Sequence, residues 1–149
     1  MRSGSAVTWA MLEAARRPEE MERLREEALA ADGNPELMPA SRAFFAEALR
    51  LYPPSWYIGR RARVATAAGG VDLPLDTVAL ASPYVIHRDQ RFHARPDHFE
   101  PARWRNGGER RSPAYLPFGA GPRQCLGERL AWLEGTLLLS AITSRWRLE

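Results

Sequence analysis

Phe118-Gly119-Ala120-Gly121-Pro122-Arg123-Gln124-Cys125-Leu126-Gly127 carries the only cysteine of the chain, in a glycine-rich loop that leads directly into an amphipathic helical pattern. A thiol becomes a thiolate ligand most readily where backbone N–H groups, a helix N-terminus and a nearby cation all favour negative charge. This stretch offers all three, with Arg123 as the cation two residues before the sulfur. Gly119, Gly121 and Gly127 let the backbone turn tightly and approach a bound group closely, while Pro122 stiffens the loop and removes one donor. A lone cysteine is otherwise a small buried hydrophobe. The surroundings of Cys125 point instead to a metal ligand.

Composition limits the alternatives. At 149 residues and 45% hydrophobic content the chain can bury one core and form one domain at most. A single cysteine excludes an internal disulfide and fits a reducing compartment. All 21 basic residues are arginine, a bias we read as GC-rich coding before function, and the net charge of +3 is spread along the chain. No apolar run approaches the roughly 20 residues that span a bilayer, and no basic segment followed by an apolar core marks a signal peptide. A soluble, cytoplasmic chain is the expectation.

Working outward from the cysteine loop, the final helix is expected to begin at Leu126 and to bury Leu130, Leu133, Leu137, Leu138 and Ala141. At the other end, Ala6, Val7, Ala10, Met11 and Ala14 recur at helical spacing until Arg16-Arg17 and Pro18. Pro18 suits the first position of a second helix, with Glu19, Glu20 and Glu22 in its first turn and Met21, Leu24 and Ala28 as its apolar stripe. Ala31-Asp32-Gly33-Asn34-Pro35 breaks it. A third helix is predicted from near Ser41 to Tyr52, stopped by Pro53-Pro54, with Phe44, Phe45, Ala48 and Leu49 buried. Between Arg60 and Ser82 the pattern turns to β, with Val64 and Thr66 on one arm, Gly69-Gly70 as the turn, and Val78 and Leu80 on the returning arm. From His87 to Pro117 a long ordered coil is expected, in which His93 and His98 read as solvated.

The ten-residue stretch resembles the haem-binding signature of the cytochrome P-450 (haem-thiolate monooxygenase) family, with Phe118, Gly121, Arg123, Cys125 and Gly127 at the matching positions. The resemblance implies that Cys125 is the axial thiolate of haem b, that Phe118 packs near the sulfur, and that Arg123 pairs with a haem propionate. Glu47-Ala48-Leu49-Arg50, followed by Tyr52-Pro53-Pro54, is similar to the family's Glu-x-x-Arg helix and its proline turn. Phe99-Glu100-Pro101-Ala102-Arg103-Trp104 resembles the later coil that supplies a second arginine to that pair, with Ala102 where Glu is usual. Glu47, Arg50 and Arg103 are thus expected to form a buried network for structure and haem retention. Arg60 falls where a propionate-binding arginine is expected, with Arg61 one register away. His87-Arg88-Asp89 resembles a segment whose histidine lies near the haem edge.

The implied fold is the C-terminal portion of the cytochrome P-450 fold, mainly α with a small antiparallel β-sheet and truncated at both ends. Residues 1–149 would form a single partial domain: the end of a central helix, the Glu-x-x-Arg helix, the sheet, the coil, the cysteine loop and the final helix. Register with the family places its oxygen-activating acid and alcohol on Met1 and Arg2, so no residue is assigned a catalytic role. The implied activity is insertion of one atom of dioxygen into a small organic substrate, with electrons from an acidic donor (ferredoxin- or flavodoxin-like, or a flavin reductase). Arg105, Arg110, Arg111 and Arg129 near the cysteine loop would suit such a donor. The alternative is a catalytically inactive haem-binding remnant. An arginine-rich nucleic-acid module is a third reading, disfavoured because the aromatics do not interleave with the arginines as a stacking platform requires.

Overall fold

The computed structural model describes residues 3–107 and 112–148. Met1 and Arg2, onto which the family's acid and alcohol fall, lie outside them, as do Arg110 and Arg111. Five α-helices occur in the described residues: α1 (Ser3–Ala15), α2 (Pro18–Ala31), α3 (Pro39–Leu51), the short α4 (Pro83–Ile86) and α5 (Glu128–Arg145). The strands β1 (Ile58–Arg61), β2 (Thr66–Ala68), β3 (Val71–Leu73) and β4 (Val78–Ala81) separate α3 from α4. The mainly helical fold with small antiparallel sheets is therefore present.

Helix α3 is the centre, since Ser41 and every residue from Ala43 to Leu51 are buried. It starts two residues earlier than local pattern indicates. Pro39 occupies the first turn, where its missing N–H costs nothing, and the Glu27 carboxylate of α2 accepts from the Ala40 and Ser41 amides at 2.6 and 2.8 Å. A cap supplied from 13 residues away has no local sequence signal. Helix α1 docks on the end of α3 through the buried Glu13, which accepts from Tyr52 Oη at 2.6 Å and from Arg17. Trp9 stacks flat on the Tyr52 ring, with centroids 4.3 Å apart. Burial, then the bond to Glu13, pushes the Tyr52 phenol up to about 12.

Helix α5 corrects the expected face. It begins at Glu128, two residues after Leu126, and buries Trp132, Gly135, Thr136, Leu139, Ser140 and Thr143. Leu130, Leu133, Leu138 and Ala141 are exposed instead, and Leu137 is half-buried. A helix apolar around most of its circumference gives hydrophobicity no unique stripe to select. Closeness of approach selects it: a Cβ on Gly135 would lie 2.2 Å from the Phe45 ring of α3. That ring meets Trp132 edge-on at 5.8 Å.

The β region is two nested hairpins. The outer ladder pairs Ile58 with Ala81 and Arg61 with Val78; the inner pairs Thr66 with Leu73 across Gly69-Gly70. The glycine turn is where the sequence predicts it, at φ values of 59° and 79°. The returning arm differs. Val71–Leu73 returns from that turn, Val64 lies outside the strands, and β4 pairs with the segment before the hairpin.

The segment from His87 onward, expected to be coil as far as Pro117, forms a 3-10 helix at Pro101–Gly107 and closes over a buried charge. Glu47 and Arg50 are fully buried, one helical turn apart on α3. Arg50 gives Nε and Nη2 to the two Glu47 oxygens at 2.9 and 2.8 Å, Nη1 to the His87 and Pro96 carbonyls, and Nη2 also to the His98 carbonyl at 2.9 Å. All five guanidinium N–H groups have acceptors. Glu47 further accepts from Arg103 Nε (3.1 Å), the Glu100 amide (2.8 Å) and Trp104 Nε1 (2.7 Å). Folding the 87–98 segment around Arg50 also buries His93, contrary to the solvated position expected of it, while His98 remains exposed.

Two sets of variants test this packing. Gly135→Ala is expected to lower stability by about 1–3 kcal/mol in urea unfolding followed by circular dichroism, with Phe45→Leu in the same chain recovering part of the loss. Glu47→Gln, which puts an amide N–H₂ where a carboxylate accepts from five N–H groups, is expected to cost about 3–5 kcal/mol. Trp104→Phe, which strips one donor from the carboxylate, is expected to cost about 1–3 kcal/mol in the same measurement.

Candidate functional site

Between the face of α3, the β1 entry and the start of α5 lies a mostly apolar cleft of about 690 Å³, within the size range of small-molecule sites. Phe45 and Leu49 from α3 and Ala131 from α5 line its base, and Ile58, Gly59 and Arg60 line one side. Pro117, Phe118, Gly119, Arg123, Cys125 and Gly127 bring the cysteine loop to it. Five residues singled out in the sequence, Cys125, Phe118, Arg123, Gly127 and Arg60, thus share one cavity.

The loop is held by its own backbone. The Cys125 amide donates to the Phe118 carbonyl at 3.0 Å, the Gly119 amide to Leu116 at 3.1 Å, and the Gln124 amide to Gly121 at 3.0 Å. Gly119 and Gly121 have φ values of +76° and +72°, which L side chains adopt only with strain. Gly121 shapes the loop without lining the cleft. The Phe118 ring leans on Trp132 at 5.7 Å, which anchors the loop to α5. Cys125 itself is exposed, three residues before the first residue of α5, with Gly127 at the N-cap. The positive end of that helix therefore lies beside the sulfur. Gly127 lies against the sulfur, since a Cβ there would be in ordinary contact with Sγ at 3.8 Å.

The cations divide by what they already bind. Among the described residues Arg60 donates only to the Gly59 carbonyl, at 2.8 Å, and no carboxylate pairs with it or with Arg123. Both line a second, smaller recess with Gly59, Arg61 and Arg63. Arg61 faces Asp76 at 3.7 Å and does not line the main cleft. Glu47, Arg50 and Arg103 lie behind the cleft as the buried network.

His87, expected near a cofactor edge, is placed elsewhere. It is fully buried and absent from the cleft lining. Its Nε2 accepts from the Leu116 amide at 2.7 Å, which leaves the proton on Nδ1, 3.0 Å from the Arg50 carbonyl. Burial above all, with the cations of Arg50 and Arg88 and the ring of His93 adding to it, lowers its pKa to about 4 against the local gain from the Arg50 carbonyl. Sequence reasoning also missed Trp104, Trp132 and Gly135. Trp104 directly follows Arg103, so its position was visible although its bond to Glu47 was not.

The lining fits a flat apolar group with an anionic edge. Among the described residues no three His, Cys, Asp or Glu side chains gather around a common point. A metal at Cys125 would therefore draw its other ligands from the group that carries it. The apolar cleft walls suit a flat ring system, and Arg60 and Arg123 suit carboxylates at its rim.

Comparison with known proteins agrees. A family model described as Cytochrome P450 matches residues 3–149. Cyclooctatin synthase of Streptomyces melanosporofaciens is 40% identical across 99% of this chain and 34% of its own length. Mitochondrial cytochrome P450 11B2 of Mesocricetus auratus is 37% identical across 96% of this chain and 30% of its own. The crystal structure of CYP175A1 from Thermus thermophilus superposes with a TM-score of 0.82 at 37% identity, covering 97% of this chain and 34% of that one. The chain spans about a third of the length of the relatives it matches. Matched along nearly all its residues in sequence and in fold, the chain belongs to the cytochrome P450 family.

Proposed function

We propose that this chain supplies the thiolate side of a haem-thiolate monooxygenase, with Cys125 as the axial iron ligand of haem b and Arg60 and Arg123 as partners of the propionates. Membership of the family implies a haem cofactor. The observation that carries the finer assignment is the convergence of an exposed thiol and two guanidiniums without carboxylate partners among the described residues on one apolar cleft. When bound, haem supplies the oxygen chemistry, and an axial thiolate favours O–O cleavage by pushing electron density to the iron.

The chain's own residues position that sulfur. The α5 N-terminus lies beside the sulfur, the backbone bond to Phe118 fixes its loop, and the aromatic side chains of Phe118, Phe45 and Trp132 pack together behind that loop. Electrons would come from an acidic donor protein, for which the exposed Arg105 and Arg129 offer complementary charge. No helix among the described residues is long and apolar enough to cross a membrane. A haem-binding remnant without turnover is the second reading, favoured by the exposed Leu126, Leu130 and Leu133 beside the cleft. The two readings differ in substrate-dependent electron uptake.

The test is spectroscopic. Chain loaded with hemin, reduced and exposed to carbon monoxide, is expected to show the red-shifted Soret band of thiolate ligation, and Cys125→Ser to lose it. An identical spectrum in the variant would remove Cys125 from the iron. Arg60→Gln and Arg123→Gln are each expected to weaken hemin binding by roughly tenfold without moving that band, as measured by titration.

A further inference from the structure

We propose that His87 is a positioning residue for the thiol loop, its neutral ring locking the entry of that loop to the end of α3 so that Cys125 stays at the cleft wall. This rests on the reading of Cys125 as the iron ligand, and adds to it a control that lies outside the cleft.

The geometry is a relay of named bonds. The ring bridges the Arg50 carbonyl, at 3.0 Å from Nδ1, and the Leu116 amide, at 2.7 Å from Nε2. Leu116 passes the constraint on, because its carbonyl accepts from Gly119 and the intervening turn carries Phe118, whose carbonyl holds the Cys125 amide. Arg50 returns a bond to the His87 carbonyl at 2.8 Å, so the side chain and the backbone of His87 grip the same residue. The Tyr115 ring covers the imidazole at a centroid distance of 5.4 Å, and Tyr115 Oη donates to the Ala46 carbonyl at 3.1 Å. Three segments therefore meet at one fully buried ring.

Only the neutral tautomer fits. A second ring proton would face the Leu116 N–H, donor against donor, in a fully buried site. The charged and titratable groups around the ring oppose it too: Arg50 from α3, and Arg88 and His93 from the coil, all basic, with the Tyr115 ring packed beside the imidazole. The network's carboxylate, Glu47, is taken by Arg50, Arg103 and Trp104. With a folded pKa near 4 and an unfolded value of 6.5, the native state resists a proton that the unfolded chain accepts. The stabilisation is therefore complete above about pH 6.5 and is lost as pH falls through about 4.

Amide hydrogen exchange reads the clamp without haem. In His87→Phe, the Leu116 and Cys125 amides are expected to exchange roughly ten- to hundredfold faster than in the parent chain, while Ala48 in α3 keeps its protection. His87→Gln, which can still present an acceptor to Leu116, is expected to recover part of the protection. If His87→Phe does not fold, the parent chain answers: protection factors at Leu116 are expected to fall between about pH 6.5 and 4 while helical circular dichroism persists. Unchanged Leu116 protection in the folded variants, or across that pH range, overturns the proposal. The hemin-loaded, carbon monoxide-bound chain separates it from the ligand assignment. Loss of the thiolate band in Cys125→Ser together with partial loss in His87→Phe supports both. A band that depends on Cys125 but is indifferent to His87→Phe overturns the positioning role alone. A parent chain with no Cys125-dependent band overturns the ligand reading, whereas the exchange result still decides the clamp.

Discussion

A carboxylate with no access to water is the constraint from which most of this architecture follows. Glu47 is fully buried, and an isolated ion there would be prohibitively costly unless neutralised and saturated with donors. Its five donors come from α3 itself and from residues 100 to 104. Arg50 then needs three carbonyls beyond Glu47, and these come from residues 87 to 98. Two stretches without an apolar helical or strand pattern, the second of them running into a 3-10 helix at Pro101–Gly107, are thereby wrapped on α3. Between residues 87 and 98 the charge pair itself supplies the backbone partners that a ladder would otherwise provide.

Closing the coil has a consequence for the thiol loop. The same turn that offers the His87 carbonyl to Arg50 delivers the imidazole to Leu116, and the loop that ends at Cys125 begins there. Glu47 and Arg50 do not line the cleft, yet the loop that lines it is tied to them through one ring. The α5 side works differently. Gly135 allows the close approach at which Phe45 meets Trp132, and Trp132 in turn receives Phe118. The loop is thus held by hydrogen bonds at its entry and by aromatic packing at its middle.

What can be read in advance divides along physical lines. Helices α1 and α2 are legible because each has one apolar stripe and a proline or glycine boundary, so periodicity and termination agree. The Gly69-Gly70 turn is legible because both positive φ values call for glycine. The Glu47, Arg50 and Arg103 set is legible only through resemblance, since an i,i+3 ion pair looks the same on a surface as in a core. The face of α5 escapes the pattern because leucines surround the helix, and what decides burial is a missing Cβ, which hydrophobicity does not encode. The sites of His87 and His93 escape it for a related reason. Polar residues in a coil look solvated until a buried guanidinium folds that coil around itself.

The arginines show why fold and site must be read together. All 21 basic residues are the same type, so composition cannot distinguish a structural cation from a binding one. Satisfaction and position together distinguish them. Arg50 has given all five N–H groups to protein acceptors and retains none for a ligand. Arg60 and Arg123 flank the thiol with no described carboxylate to neutralise them, and Arg60 donates only to its neighbour's carbonyl among the described residues. A guanidinium keeps its strongest remaining interactions for a charged acceptor. Both also line the cleft, which is why the anionic edge of a bound group is assigned to them and not to the buried pair.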